Sequence, residues 1–173
     1  AYSVGREAGT VSSRLNQAFQ YVFSTVKRIR TETAIGQSPV SVAYTSVRLA
    51  RQIFTDFESK TTLLIGAGET IELVAKHLRD QGMGEVIVAN RTLSRARDAV
   101  QNFASKIILL SDVPEYLYKA DILISSTASQ LPILGKGVVE DAIKKRRKKP
   151  MLLIDLAVPR DIESQVDEIP DVY

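Results

Sequence analysis

A doubly wound α/β fold, with one parallel sheet covered by helices on both faces and an N-terminal helical extension, is predicted by three observations. From residue 60 onward, short apolar runs alternate with segments of helical period, the order that gives parallel strands joined by right-handed crossovers. Residues 62–71, Thr-Leu-Leu-Ile-Gly-Ala-Gly-Glu-Thr-Ile, put a glycine pair where the first such run gives way to a helix. Residues 1–58 lack strand punctuation and read as helix. The expected division is a helical linker over 1–58 and a Rossmann-like domain over 59–173.

Within the extension, Val11, Leu15, Ala18, Phe19, Val22, Val26 and Ile29 recur at helical spacing and make one apolar face. Lys27, Arg28 and Arg30 stand at its end, before Gly36. Ser38-Pro39 reads as an N-cap followed by a first-turn proline. The helix it opens runs through Val42, Val47, Leu49, Ala50, Ile53 and Phe54. Both helices read as packing elements or an interdomain arm, with Arg28, Arg30 and Glu32 available to a neighbouring active site.

The domain proper opens with a buried strand, Leu63 to Ile65, and a helix carried by Ile71, Val74, Ala75 and Leu78 that Gly82 and Gly84 end. Between them Gly66 permits the tight turn, Gly68 lets backbone approach a pyrophosphate, and the helix start offers unpaired N–H groups to that anion. The third small residue of the usual fingerprint is replaced by Ile71. A second strand, Val86 to Ala89, closes the βαβ unit and ends in Asn90-Arg91-Thr92. An NAD site carries Asp or Glu there for the ribose 2′-hydroxyl, whereas Arg accommodates a 2′-phosphate, so Arg91 points to NADP. Its planar guanidinium suits the phosphate or the adenine face, and Asn90 and Thr92 add hydrogen-bond donors. The bland alternative is that Arg91 is a solvated loop residue.

Leu93 to Phe103 supplies the next helix, Ile107 to Leu110 the third strand, Val113 to Lys119 a short helix and Asp121 to Ser125 the fourth strand. Val138 to Arg147 and Met151 to Asp155 add a further helix and strand, and Asp171-Val172-Tyr173 reads like the start of another. Ligands of such sheets lie at the strands' carboxyl ends, around the switch point between the first and fourth strands. The fourth strand ends there in Ser125-Ser126-Thr127-Ala128-Ser129, small hydroxyl residues that leave room for a flat ring. The fifth ends in Asp155-Leu156-Ala157-Val158-Pro159-Arg160-Asp161, with Asp155 either a turn cap or a ligand-facing carboxylate.

Composition removes several chemistries. There is no cysteine, so disulfides, thiolate metal sites and a thiol nucleophile within this chain are excluded. The single histidine, His77, lies within the helix after the glycines and reads as a surface or half-buried helix residue. Apolar runs are of strand length and no secretory leader opens the chain, so a soluble cytoplasmic protein without membrane contact is expected. The net charge of +3 comes from one run, Lys144-Lys145-Arg146-Arg147-Lys148-Lys149, without which the chain is net acidic. That run reads either as cations complementing a helix C-terminus before Pro150 or as a local RNA contact.

In combination these segments resemble glutamyl-tRNA reductase of the bacterial type. The resemblance is carried by KRIRTETAIG at 27–36, VSV at 40–42, GAGETIELVAKHL at 66–78, ANRT at 89–92, SSTASQLP at 125–132 and DLAVPRDI at 155–162. It implies NADPH-dependent reduction of glutamyl-tRNA to glutamate-1-semialdehyde for tetrapyrrole and heme biosynthesis, in a homodimeric parent with an aminotransferase as a handover partner. In the family a cysteine of a preceding domain forms a thioester that hydride reduces. No segment here matches that domain, so the chain is expected to be the NADPH-binding domain with its linker helices, inactive alone. The resemblance assigns Gly66, Ala67, Gly68, Glu69, Thr70 and Ile71 to the nucleotide loop and Asn90, Arg91 and Thr92 to the adenosine-phosphate end, with Ser126 and Thr127 near the dinucleotide. Alternatives left open are a shikimate-dehydrogenase-like oxidoreductase domain and a non-catalytic dinucleotide-binding module.

Overall fold

Runs of Leu, Ile and Val between turn residues form five parallel strands in a computed structural model that describes residues 2–32, 42–100 and 104–173. They are β1 (Thr61–Ile65), β2 (Glu85–Asn90), β3 (Lys106–Leu109), β4 (Ile122–Ser125) and β5 (Leu152–Asp155). Their order in the sheet is β3-β2-β1-β4-β5, so the connection reverses direction between β1 and β4. Ile65 pairs with Ala89 on one side and with Ser125 on the other, while Ser125 pairs with Asp155. The carboxyl ends of four strands therefore form one row.

Helices cover both faces, which is why the central strands are apolar at successive positions rather than alternating. Leu64, Val88, Ile122 and Ile124 pack under α3 (Val42–Ile53), α4 (Glu69–Asp80) and α5 (Leu93–Val100). Leu63, Ile65, Ile87 and Leu123 pack on the other face, with Val113 of α6 (Val113–Tyr116) and Val139 and Ile143 of α7 (Lys136–Lys145). Leu63 and Leu64 are fully buried, each such side chain stabilising the fold by roughly 1.5–3 kcal/mol.

The described residues divide into two compact units, Ala1–Val40 and Ser41–Tyr173. In the first, α1 (Tyr2–Glu7) folds back on α2 (Ser13–Glu32): the Tyr2 ring meets Phe19 and Phe23 at 4.8 and 5.2 Å, and Gln20 donates to its hydroxyl at 2.8 Å. In the second, α3 lies against α4 and buries Ala43, Val47 and Ala50, whereas Val42, Leu49 and Ile53 stay exposed on a different face.

Element limits differ from the sequence reading for local reasons. Leu110, expected in the third strand, begins a 3-10 turn over Leu110–Asp112, and Val113 to Lys119 splits into α6 and a 3-10 turn at Leu117–Lys119. The expected strand at Asp171 to Tyr173 appears as a parallel bridge between Val172 and Met151, outside β5. Gly36, the Ser38-Pro39 cap, Val40-Ser41 and the end of the helix expected to reach Phe103 lie outside the described residues.

Candidate functional site at the carboxyl edge of the sheet

The turn from β1 into α4 is built by two glycines that serve different ends. Gly66 has φ +116°, and a Cβ placed on it would lie 2.3 Å from the carbonyl oxygen of Ser126. The backbones of the β1 and β4 termini touch there, and its own N–H donates to Ala89 at 2.9 Å. Gly68 is the N-cap of α4, with φ −99° and ψ 174°, an extended conformation open to any residue. A Cβ at Gly68 would meet nothing within 4 Å. Space is therefore kept free beside the start of a helix of three turns.

The first intrahelical bond of α4 runs from Glu72 N–H to Gly68. The N–H groups of Glu69, Thr70 and Ile71 have no partner among the described residues, the arrangement that receives an anion at a helix start. Ile71 offers only that backbone group, because its side chain is fully buried in the core. Glu69 and Glu72 stand in the same first turn, where carboxylates also favour the positive dipole end. Ala67 and Thr70 are half-buried and Glu69 is exposed.

One strand over, Asn90 ends β2 and its amide donates to the carbonyl of Thr92 at 3.0 Å, closing the turn that leads to α5. Thr92 accepts from Ala96 and so begins that helix. Arg91 projects from this turn, exposed, and makes no ion pair among the described residues. Arg95, in the first turn of α5, is a second exposed cation that the sequence reading passed over for want of a strand-end position.

On the other side of β1, Ser126 donates its N–H to Ile65 at 3.0 Å. Thr127 is held by Asp161, which accepts from the Thr127 N–H at 2.9 Å, from its hydroxyl, and from the Ser125 hydroxyl at 2.6 Å. Asp161 is fully buried, and its role was missed because its partners lie 34 and 36 positions away. Asp155 resolves as a turn cap, its carboxylate accepting from the N–H groups of Ala157, Asp161 and Ile162 at 2.9–3.0 Å. The sheet thus brings Gly66, Asn90 and Ser126 side by side, with α4 rising over them.

A recess of about 220 Å³ lies beside the end of β1, lined by Ile65, Leu110, Ser111, Val113, Pro114, Ile133, Leu134 and Val138. Another of about 360 Å³ borders β5, where Asp155, Glu163 and Asp167 outnumber Arg160, so a polyphosphate is better served at the glycine turn. Among the described residues no group of three or more His, Asp or Glu could hold a metal, and no helix is long and apolar enough to cross a membrane.

A family model described as Shikimate / quinate 5-dehydrogenase matches residues 48–173. Glutamyl-tRNA reductase of Saccharophagus degradans is 62% identical over 173 residues, which is 100% of this chain and 41% of that protein. The chain therefore spans about two fifths of the length of the curated relatives it matches. Among solved structures, glutamyl-tRNA reductase from Methanopyrus kandleri superimposes with a TM-score of 0.71 at 35% identity, over 99% of this chain and 43% of that one. The nucleotide binding domain of the Thermoplasma volcanium reductase matches with a TM-score of 0.54 at 23% identity, over 78% of this chain and 86% of that one, which bears on the fold alone. The chain belongs to the shikimate / quinate 5-dehydrogenase family, and its whole length is homologous to glutamyl-tRNA reductases.

Proposed function

We propose that this chain is the NADPH-binding domain of a glutamyl-tRNA reductase, and that the dinucleotide lies across the carboxyl ends of β1, β2 and β4. The observation that carries this reading is the free space at Gly68 beside three unpartnered N–H groups, in a chain homologous to that enzyme throughout. The pyrophosphate fits that space, with Gly66, Ala67, Glu69, Thr70 and Ile71 supplying backbone around it. Arg91 meets the 2′-phosphate, Arg95 adds a second positive charge, and Asn90 and Thr92 shape the turn that presents them. Ser126 and Thr127 border the nicotinamide half, and Asp161 keeps Thr127 fixed.

Bound there, NADPH would supply a hydride to the carbonyl carbon of a glutamyl thioester, releasing the thiolate and leaving glutamate-1-semialdehyde. The thiolate must come from outside this chain, which has no cysteine. The chain's own part is to bind and orient: helix start and glycine turn hold the phosphates, and the row of small residues after β4 leaves the ring face accessible. Glutamyl-tRNA is then the substrate of the whole enzyme, a cytoplasmic homodimer handing its unstable aldehyde to an aminotransferase.

The test is a side-by-side titration of the chain with NADPH and NADH by nicotinamide fluorescence and calorimetry. Arg91→Ala should weaken NADPH by about 1.5–3 kcal/mol, the worth of a charged hydrogen bond, and leave NADH unchanged. Equal losses for both cofactors would remove the 2′-phosphate assignment.

A further inference from the structure

The run at 144–149 is not six equivalent solvated cations. Arg146 is buried and donates to Asp121 at 2.7 Å, to Tyr118 O at 3.1 Å, to Pro150 O at 2.9 Å and to Lys149 O at 3.2 Å. Arg147 and Lys148 adopt left-handed φ values of 53° and 62°, closing a tight turn in which Lys148 N–H bonds Ile143 O. The run is a turn pinned by its own third residue. Lys145, Arg147, Lys148 and Lys149 stand out from it, exposed, and none of the four makes an ion pair among the described residues.

The same surface continues through aromatic rings. Lys145 Nζ lies 5.9 Å from the Tyr118 ring centre, Lys119 Nζ lies 5.8 Å from Tyr118 and 5.2 Å from Tyr116, and Lys106 Nζ lies 4.4 Å from Tyr116. Lysines and tyrosines therefore alternate along one line. Lys106 begins β3, Lys119 precedes β4 and Lys149 precedes β5, so the line follows the amino ends of the parallel strands. The glycine turn is at the opposite edge. A dinucleotide bound there would not compete for this face.

We propose that this amino-edge surface binds the sugar-phosphate backbone and an unstacked base of the RNA that carries the substrate. The inference rests on the reductase reading, which makes RNA the carrier. Clustered cations without ion-pair partners attract phosphate, and interleaved tyrosines offer faces to bases. Glu115, Asp121 and Asp141 are carboxylates close in sequence to this surface, and two of them are already paired, Asp121 with Arg146 at 2.7 Å and Asp141 with Lys144 at 3.2 Å. Arg146 takes no part in binding and holds the turn that presents the other four.

The experiment compares the chain with a variant carrying K145Q, R147Q, K148Q and K149Q, leaving Arg146 intact. Binding of unacylated glutamate tRNA is measured across a salt series, with NADPH affinity and circular dichroism measured on the same samples. The four substitutions should lower affinity at least tenfold at about 0.05 M salt and reduce the log–log salt slope by about three. Tyr118→Ala should lose about tenfold and Tyr118→Phe should retain binding, as stacking requires. No tRNA binding by the parent chain, or an unchanged slope in the folded variant, overturns the proposal. An unchanged slope with NADPH binding intact leaves the dinucleotide reading standing, whereas a reduced slope in a chain that binds no NADPH removes that reading and keeps the RNA face. If the substitutions instead release the chain from phosphatidylserine–phosphatidylcholine vesicles while tRNA binding stays the same, the partner is a membrane surface and the proposal fails.

Discussion

Adding one methyl group at Gly66 and, separately, at Gly68 should separate folding from binding. At Gly66 the new Cβ would fall 2.3 Å from Ser126 O with φ at +116°, so both backbone strain and overlap are imposed inside the fold. Strain of that kind costs about 1–3 kcal/mol and overpacking about as much again, so Gly66→Ala should lose on the order of 3 kcal/mol. At Gly68 the backbone is already extended and the Cβ meets no protein atom. A weaker helix cap is offset by reduced freedom of the unfolded chain, and stability should change by less than about 1 kcal/mol. Yet if pyrophosphate occupies the space, the same methyl group displaces it, and NADPH affinity should fall at least about tenfold. Thermal unfolding and calorimetric titration of both variants read the two effects independently. Gly68→Ala binding NADPH as tightly as the parent would refute the placement of the phosphates, and Gly68→Ala unfolding as early as Gly66→Ala would refute the claim that the space is free.

Three further changes test individual side chains whose bonding partners the fold defines. Arg146→Ala removes four hydrogen bonds and leaves Asp121 without its cation, so chemical denaturation should show a loss of about 3–5 kcal/mol, far above that of Lys148→Ala. Asp161→Asn replaces a carboxylate that accepts three bonds from Ser125 and Thr127, and should cost about 2–3 kcal/mol while also weakening NADPH, measured by unfolding and titration together. The Asp56 carboxyl is held below its ordinary value first by the Ser59 hydroxyl and then by Lys60, so it stabilises the fold above the ordinary carboxylate range and loses that effect as pH falls through its lowered value. Asp56→Asn should therefore melt slightly earlier than the parent at neutral pH, with the gap closing in acid.

What was legible in the sequence follows from the range of the interactions involved. The central strands were readable because burial on both faces leaves an uninterrupted apolar signature, as in Leu63 to Ile65, that needs no knowledge of partners. The glycine turn was readable because a strand, a sharp turn and a helix are all local. Arg146 was not, since within its run it is indistinguishable from its neighbours and becomes structural only through Asp121, 25 positions earlier. Asp161 was hidden for the same reason, and Asp155 stayed ambiguous until the turn that it caps was in view. The exposed stripe of Val42, Leu49 and Ile53 lies in a helix that the sequence predicts, because apolar residues at helical spacing indicate a helix without saying which face is buried. Ile71 shows how the two scales meet. As the third position of the fingerprint it breaks a sequence rule, yet its side chain fills the core under α4 and only its N–H faces the turn. The rule's small residue serves close helix–sheet packing, so a larger one is accommodated wherever the helix stands far enough from the strands to bury it.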